Sequence, residues 1–245
     1  MSKTNDYIEK LKNQTDWIPF LLAESNLPGP RGNLELMAAV ADCGDEAMFK
    51  KLIDADRHEG STTANEFLPC CGVVGLGSLL ALKNMDGLPL VRSYANDERW
   101  RLREAAAMAL QRWGKADMPV LLDEMLIWAG GTYFDQRAAA AGLCEPALLK
   151  RPVDAERVLA ILDHITATIP MVSDRKDEKF RALRQGLAYC WSVAVAALPE
   201  EGKTLMEKWM VSPDQDIRWL MKENLKKHRL VKIDAAWTAA WLAKI

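Results

Sequence analysis

The sequence predicts an all-α chain, a right-handed α-α superhelix of about six stacked helical pairs. Three observations predict it. An arginine recurs early in apolar, alanine-rich stretches: LREAAAMAL at Arg103, QRAAAAGL at Arg137, LRQGLAY at Arg184 and IRWLMKENL at Arg218. The spacings are 34, 47 and 34 residues, and periods of that size belong to paired-helix repeats. Alanine, leucine, methionine, glutamate and lysine dominate, and no stretch alternates with a period of two over a useful length. Helix breakers fall at intervals of one or two helices: LPGPRGN (27–33), DCGDE (42–46), GLP (87–89), AGGT (129–132), RPVD (151–154), Pro170, LPEEG (198–202) and SPDQD (212–216).

The elements follow in order. Residues 1–60 read as irregular: a short N-terminal helix, then one helix pair in NLELMAAVADCGDEAMFKKLID (33–54). EFLPCCGVVGLGSLLAL (66–82) reads as the helix one period before Arg103. The most regular unit is 86–113, where DGLPLVRSYAND supplies a first helix and its turn and DERWRLREAAAMALQRW the second. Leu102, Ala105, Ala106, Ala109, Leu110 and Trp113 there fall on one apolar stripe. Asp97 with Glu98, Asp154 with Glu156, and the SPDQD segment put capping or acidic residues at helix starts. LAYCWSVAVAAL (187–198) reads as a buried helix. VKIDAAWTAAWLAKI (231–245) reads as a last helix that caps the open end. The whole chain is expected to form one domain, with repeats over 66–230.

Composition limits the function classes. With 245 residues and 49% hydrophobic content the chain can bury a core. Thirty-four acidic residues against 32 basic ones give a net charge of -2, which disfavours a dedicated nucleic-acid binder, although a local basic stripe stays open. Five cysteines (43, 70, 71, 144 and 190) without CxxC spacing point to reduced core thiols in the cytoplasm. The polar start MSKTNDYIEK lacks an apolar signal core, and no apolar run reaches the roughly 18 residues of a membrane span. The three histidines, His58, His164 and His228, lie far apart in sequence, which argues against a histidine metal site.

The motif DxxxxLRxxAxxAL, carried by Asp97, Leu102, Arg103, Ala106, Ala109 and Leu110, resembles HEAT repeats, an armadillo-like family. The resemblance covers about residues 66–230. It implies that Asp97 and Arg103 belong to a polar ladder along the stack, and Glu178 with Arg184 has the same spacing. The other repeats depart from it: Gly131 and Ser212 stand six residues before Arg137 and Arg218, and Cys70 stands where an earlier arginine would be. The recurring arginines then have two readings. One is a positive ladder for phosphate or an acidic peptide. The other, favoured, is a structural bond to turn carbonyls and to the preceding acidic residue.

Four residues are candidates for function. Arg31 stands at the tip of the rigid NLPGPRGN loop (26–33), suited to a carboxylate or phosphate, or alternatively to tying down carbonyls. Trp100, in the first turn of its helix between Arg99 and Arg101, is suited to facing a groove, whereas most of the nine tryptophans read as core. Glu104 and Arg137 complete a weaker constellation. The alkylpurine DNA glycosylases of the DNA-alkylation-repair family are built from HEAT-like repeats and hold a lesion in an aromatic and carboxylate cleft beside arginine. By that more distant resemblance Trp100, Glu104 and Arg137 would form the cleft, with Glu104 as the catalytic carboxylate. The glutamate replaces that family's aspartate, and its positive charge is missing here. GVVGLGSL (72–79) lacks the strand and the GK[ST] of a phosphate loop, so its glycines read as close-packing sites. Cys70–Cys71 lack a basic neighbour to activate a thiol, and SDRKDEKFR (173–181) reads as a solvated loop and helix start.

The sequence therefore favours a non-enzymatic scaffold that binds a protein or peptide in a concave groove, with no cofactor, no metal and no membrane. A glycosylase-like DNA binder is the alternative. A small-ligand sensor with a tryptophan-rich groove comes third.

Overall fold

Side-chain oxygens at the helix starts set the element boundaries. Asn33, Asp45, Asp117, Thr132, Asp214 and Asp234 each accept a backbone N–H from the first turn that follows, satisfying donors that have no partner within the helix. At Thr132 the arrangement is reciprocal, because the Asp135 carboxylate accepts the Thr132 N–H at 3.1 Å. The computed structural model describes residues 2–55 and 65–245, and every regular element among them is helical. His58 lies outside the described residues. No helix among them is long and apolar enough to cross a membrane. The chain falls into two compact units, Met1–Ala116 and Asp117–Ile245.

The first unit holds α1 (Lys3–Lys12), α2 (Trp17–Ala23), α3 (Leu34–Cys43), α4 (Glu46–Asp54), α5 (Phe67–Ala81), α6 (Leu88–Ala95) and α7 (Trp100–Ala116). Its centre is α5, which packs against α3, α4 and α7. That helix is apolar on all sides, as a fully enclosed helix must be. The glycines of GVVGLGSL are contact points there. A Cβ on Gly75 would sit 2.3 Å from the Phe49 ring, and one on Gly77 would sit 2.4 Å from the Ala109 carbonyl oxygen. Neither position leaves room for a methyl group. The alanine stripe on α7 (Ala105, Ala106, Ala109) is buried, and Ala109 is the residue that meets Gly77.

The second unit holds α8 (Met118–Ala129), α9 (Tyr133–Leu143), α10 (Pro152–Thr168), α11 (Glu178–Ala197), α12 (Pro199–Met210), α13 (Gln215–Leu225), α14 (His228–Ile233) and α15 (Ala235–Leu242). Its centre is α11, which packs on α9, α10, α12 and α13. The expected single helix over 231–245 is two: α14 ends at Ile233, and Asp234 caps α15 by accepting the Trp237 N–H at 2.9 Å. A capping aspartate favours a new start over continuation. Five indole N–H groups described in this unit find side-chain oxygens: Trp128 to Glu124, Trp191 to Thr166, Trp209 to Asp163, and both Trp237 and Trp241 to Glu207.

Three of the recurring arginines serve the fold in two ways. Arg103 donates from one nitrogen to the carbonyls of Asp97 (2.7 Å) and Glu98 (2.8 Å), and Arg218 donates to the Ser212 carbonyl at 2.7 Å. Both reach back six residues to the turn before their own helix. The implied Asp97–Arg103 link is thus a bond to the Asp97 backbone; Arg99 hydrogen-bonds the Asp97 carboxylate, and Arg103 acts on it through its charge. The implied Glu178–Arg184 pairing is replaced. Arg184 pairs with Asp216 on α13 at 2.8 Å and lies 3.9 Å over the Trp219 ring, because an aromatic face and a half-buried carboxylate outcompete the exposed Glu178.

Within the stretch expected to be solvated, Arg175 is engaged by Asp214 (2.8 Å) and Asp216 (2.9 Å). Burial pushes the Asp214 carboxyl up, but the Arg175 guanidinium and the N–H groups of Ile217 and Asp216 together hold it below its ordinary value. A folded value below the unfolded one gives stability that is complete above the ordinary aspartate range and is lost as pH falls through the folded value. Asp214→Asn keeps a capping side chain and removes the charge. It is expected to cost about 1 kcal/mol at pH 7, since Arg175 is partly exposed and screened. The difference from the parent chain should shrink below about pH 4. Urea midpoints at pH 7 and pH 3 check this; an equal deficit at both would contradict it.

Candidate functional site

The site grows out of the 26–33 loop, which its own side chains hold rigid. Ser25, fully buried, donates its hydroxyl to the Leu22 carbonyl at 2.9 Å and accepts the Leu27 N–H at 3.1 Å. Asn26 takes a left-handed backbone (φ 61), and Leu27–Pro28 is cis. A Cβ on Gly29 would lie 2.4 Å from the Asn26 carbonyl oxygen, so the loop needs glycine there. The Asn33 N–H returns to the Ser25 carbonyl at 3.0 Å and closes the loop. The Asn33 side chain donates to the Tyr7 hydroxyl (2.9 Å) and the Glu24 carbonyl (2.8 Å) while its oxygen caps α3.

Arg101 fastens this loop to α7. Its guanidinium donates to the Gly29 carbonyl at 3.0 Å, pairs with Glu66 at 3.3 Å, and lies 4.6 Å over the Trp100 ring. One side chain thus fixes the loop, the start of α5 and the indole together. Trp100 is still 50% exposed, while Trp113, Trp128 and Trp191 are fully buried.

Loop and helix enclose a cavity of about 350 Å³ within the first unit. Leu34, Met37, Cys70, Ala105 and Met108 form an apolar floor. Arg31, Trp100 and Glu104 line it as well, and all three are exposed. Arg31 makes no hydrogen bond or ion pair among the described residues, so its guanidinium is not tying down loop carbonyls. Arg101 performs that task. The cavity is small for a ligand site, mostly apolar, and carries a few charged groups.

Three of the four sequence candidates therefore meet on one cavity. Arg137 does not line it. It belongs to α9 in the second unit, half-buried, with its Cγ 3.4 Å from where a Gly186 Cβ would stand. Sequence reasoning passed over Arg101, Met37 and Met108. For Arg101 the signal was adjacency to Trp100, since an arginine beside an exposed indole often stacks on it. Cys70 sits at the floor, 1% exposed. Among the described residues no three His, Cys, Asp or Glu side chains cluster as metal ligands. No protein-family model matches the chain, and no curated protein or solved structure matches it.

Proposed function

We propose that the chain is a non-enzymatic binding protein, a HEAT-like stack of helical pairs that engages a peptide segment of a protein partner in the cytoplasm. The observation that carries the reading is the convergence of Arg31, Trp100 and Glu104 on one apolar-floored cavity. A half-exposed indole braced by an arginine is a rigid anchor that loses little entropy on binding. The methionines of the floor adapt to differently shaped apolar side chains. In the finer architecture that goes with this reading, the pairs wind as a right-handed armadillo-like superhelix.

Selection of displayed random peptides on the full chain tests it. Enriched peptides should lose binding by about 30-fold on Trp100→Ala, the size of an anchor worth about 2 kcal/mol, with the circular dichroism melt unchanged. No enrichment, or enrichment indifferent to Trp100→Ala, would retire the reading.

A second reading rests on the exposure of Trp100 and Glu104 in the same cavity. Trp100 would stack on an alkylated base, and Glu104 would stabilise a developing oxocarbenium ion electrostatically. Acidic residues slightly outnumber basic ones in 1–116, which works against holding phosphates. This reading requires release of alkylated purine from methylated duplex DNA, abolished in Glu104→Gln, and salt-sensitive DNA binding. The absence of both sinks it.

A further inference from the structure

We infer that the occupant of the cavity is the free C-terminus of a peptide ending in a bulky apolar residue, its carboxylate held at Arg31. The inference rests on the peptide-binding reading above.

The chemistry divides the cavity into an anion end and an apolar end. At the anion end, Arg31 is a guanidinium without a protein partner among the described residues. The backbone N–H groups of Arg31 and Gly32 also make no hydrogen bond among the described residues. Gly32 lines the cavity beside Arg31. A free guanidinium and unused backbone donors on a loop whose shape is already fixed form a receptor for a planar carboxylate. Preorganisation matters because no loop ordering has to accompany binding.

The apolar end lies on Leu34, Met37, Ala105 and Met108. A ligand that satisfies both ends carries a carboxylate close to a hydrophobic side chain. A terminal residue does so, since its carboxylate and its side chain share one Cα. An internal Asp or Glu spends its only side chain on the charge and leaves the floor uncovered.

The remaining charges favour a singly charged anion over a doubly charged one. Glu66 already neutralises Arg101. Glu104 adds a fixed negative group to the same cavity. A phosphate monoester, with nearly two charges at pH 7, would bring twice the charge of a carboxylate up against Glu104. A carboxylate brings half that charge to the same group.

The test uses the full chain, immobilised, and defined heptapeptide mixtures ending in Leu, Phe or Ala. Each mixture is made once as the free acid and once as the carboxamide, and retention is read by mass spectrometry. Acids ending in Leu or Phe should be retained at least tenfold over their amides and over acids ending in Ala. Arg31→Gln should erase the difference between acid and amide while the thermal melt stays in place. Arg31→Lys, which keeps the charge but loses the planar fork, should recover only part of it. If acids and amides are retained equally and both are lost in Trp100→Ala, the carboxylate assignment is overturned and the peptide-binding reading stands. If N-acetyl-leucine competes as strongly as the heptapeptide acids, the site takes a free small acid, and the inference is again overturned. If neither mixture is retained, the assignment fails, and the display selection then decides whether the broader reading fails with it.

Discussion

Gly77→Val is expected to lower the stability of the chain by about 3 kcal/mol or more, at the upper end of what overpacking costs. The reason is what the new side chain meets. The added Cβ would fall 2.4 Å from the Ala109 carbonyl oxygen, 2.6 Å from its Cα and 2.8 Å from its carbonyl carbon. All three are backbone atoms of α7, so no flexible side chain can swing away. Relief requires α5 and α7 to separate, which opens the main packing contact of the first unit and strips van der Waals partners from buried residues such as Ala109. Gly77→Ala should already show most of the loss. Gly130→Ala is the control, because its added Cβ meets nothing closer than 3.6 Å. Urea midpoints compare the three. A Gly77→Val chain with the parent midpoint would mean that the two helices do not approach as described.

Asn224→Ala is expected to cost about 2–4 kcal/mol, the scale of several buried polar groups losing partners at once. Asn224 is wholly buried on α13. Its side-chain oxygen accepts the Ser192 N–H at 2.8 Å, and its nitrogen donates to the Leu187 carbonyl (2.9 Å) and the Leu220 carbonyl (2.7 Å). The amide therefore bridges two helices backbone to backbone, and no water can replace it without a cavity. Asn224→Asp separates the roles. A carboxylate can still accept from Ser192, but it repels both carbonyls and carries an unpaired charge, so it should be at least as damaging as alanine. Ser192→Ala keeps the backbone N–H that Asn224 uses and should cost under 1 kcal/mol. If Asn224→Ala is no worse than Ser192→Ala in thermal and urea unfolding, the bridge is not stabilising.

Much of the helical organisation was legible because its causes are local. The caps at Asn33 and Asp214 and the stripe Leu102–Ala106–Ala109 depend on residues within a turn or two of each other. The glycines of α5 could be assigned to packing because the alternative needed a neighbouring strand that the sequence lacks. The favoured role for the recurring arginines fits Arg103 and Arg218, whose acceptors lie in the preceding turn. It misjudged Arg184, whose partners Asp216 and Trp219 come from a different helix. Arg175 looked solvated for the same reason, since its carboxylates lie about 40 positions along the chain. Asn224 hid inside IRWLMKENL as one polar residue on an apolar face, and nothing nearby showed which backbone groups it would serve.

The cavity divided in the same way. The rigidity of 26–33 and the groove-facing position of Trp100 could be read from glycine, proline and helix-start chemistry. That the two would meet could not, because the meeting is made by Arg101 reaching a carbonyl 72 positions away. Arg137 was grouped with Trp100 and Glu104 by resemblance alone, and it is absent from the lining they share.

The arginines that reach back six residues bear on how such a chain can grow. Arg103 and Arg218 each carry donor and acceptor within one short segment. A tandem duplication of that segment brings the complete bond with it, and no matching change is needed elsewhere in the gene. The Arg184–Asp216 pair is different, because its halves stand in successive segments. A copied segment would arrive with one half only, and the junction would have to supply the other before the new copy was as secure as its parent.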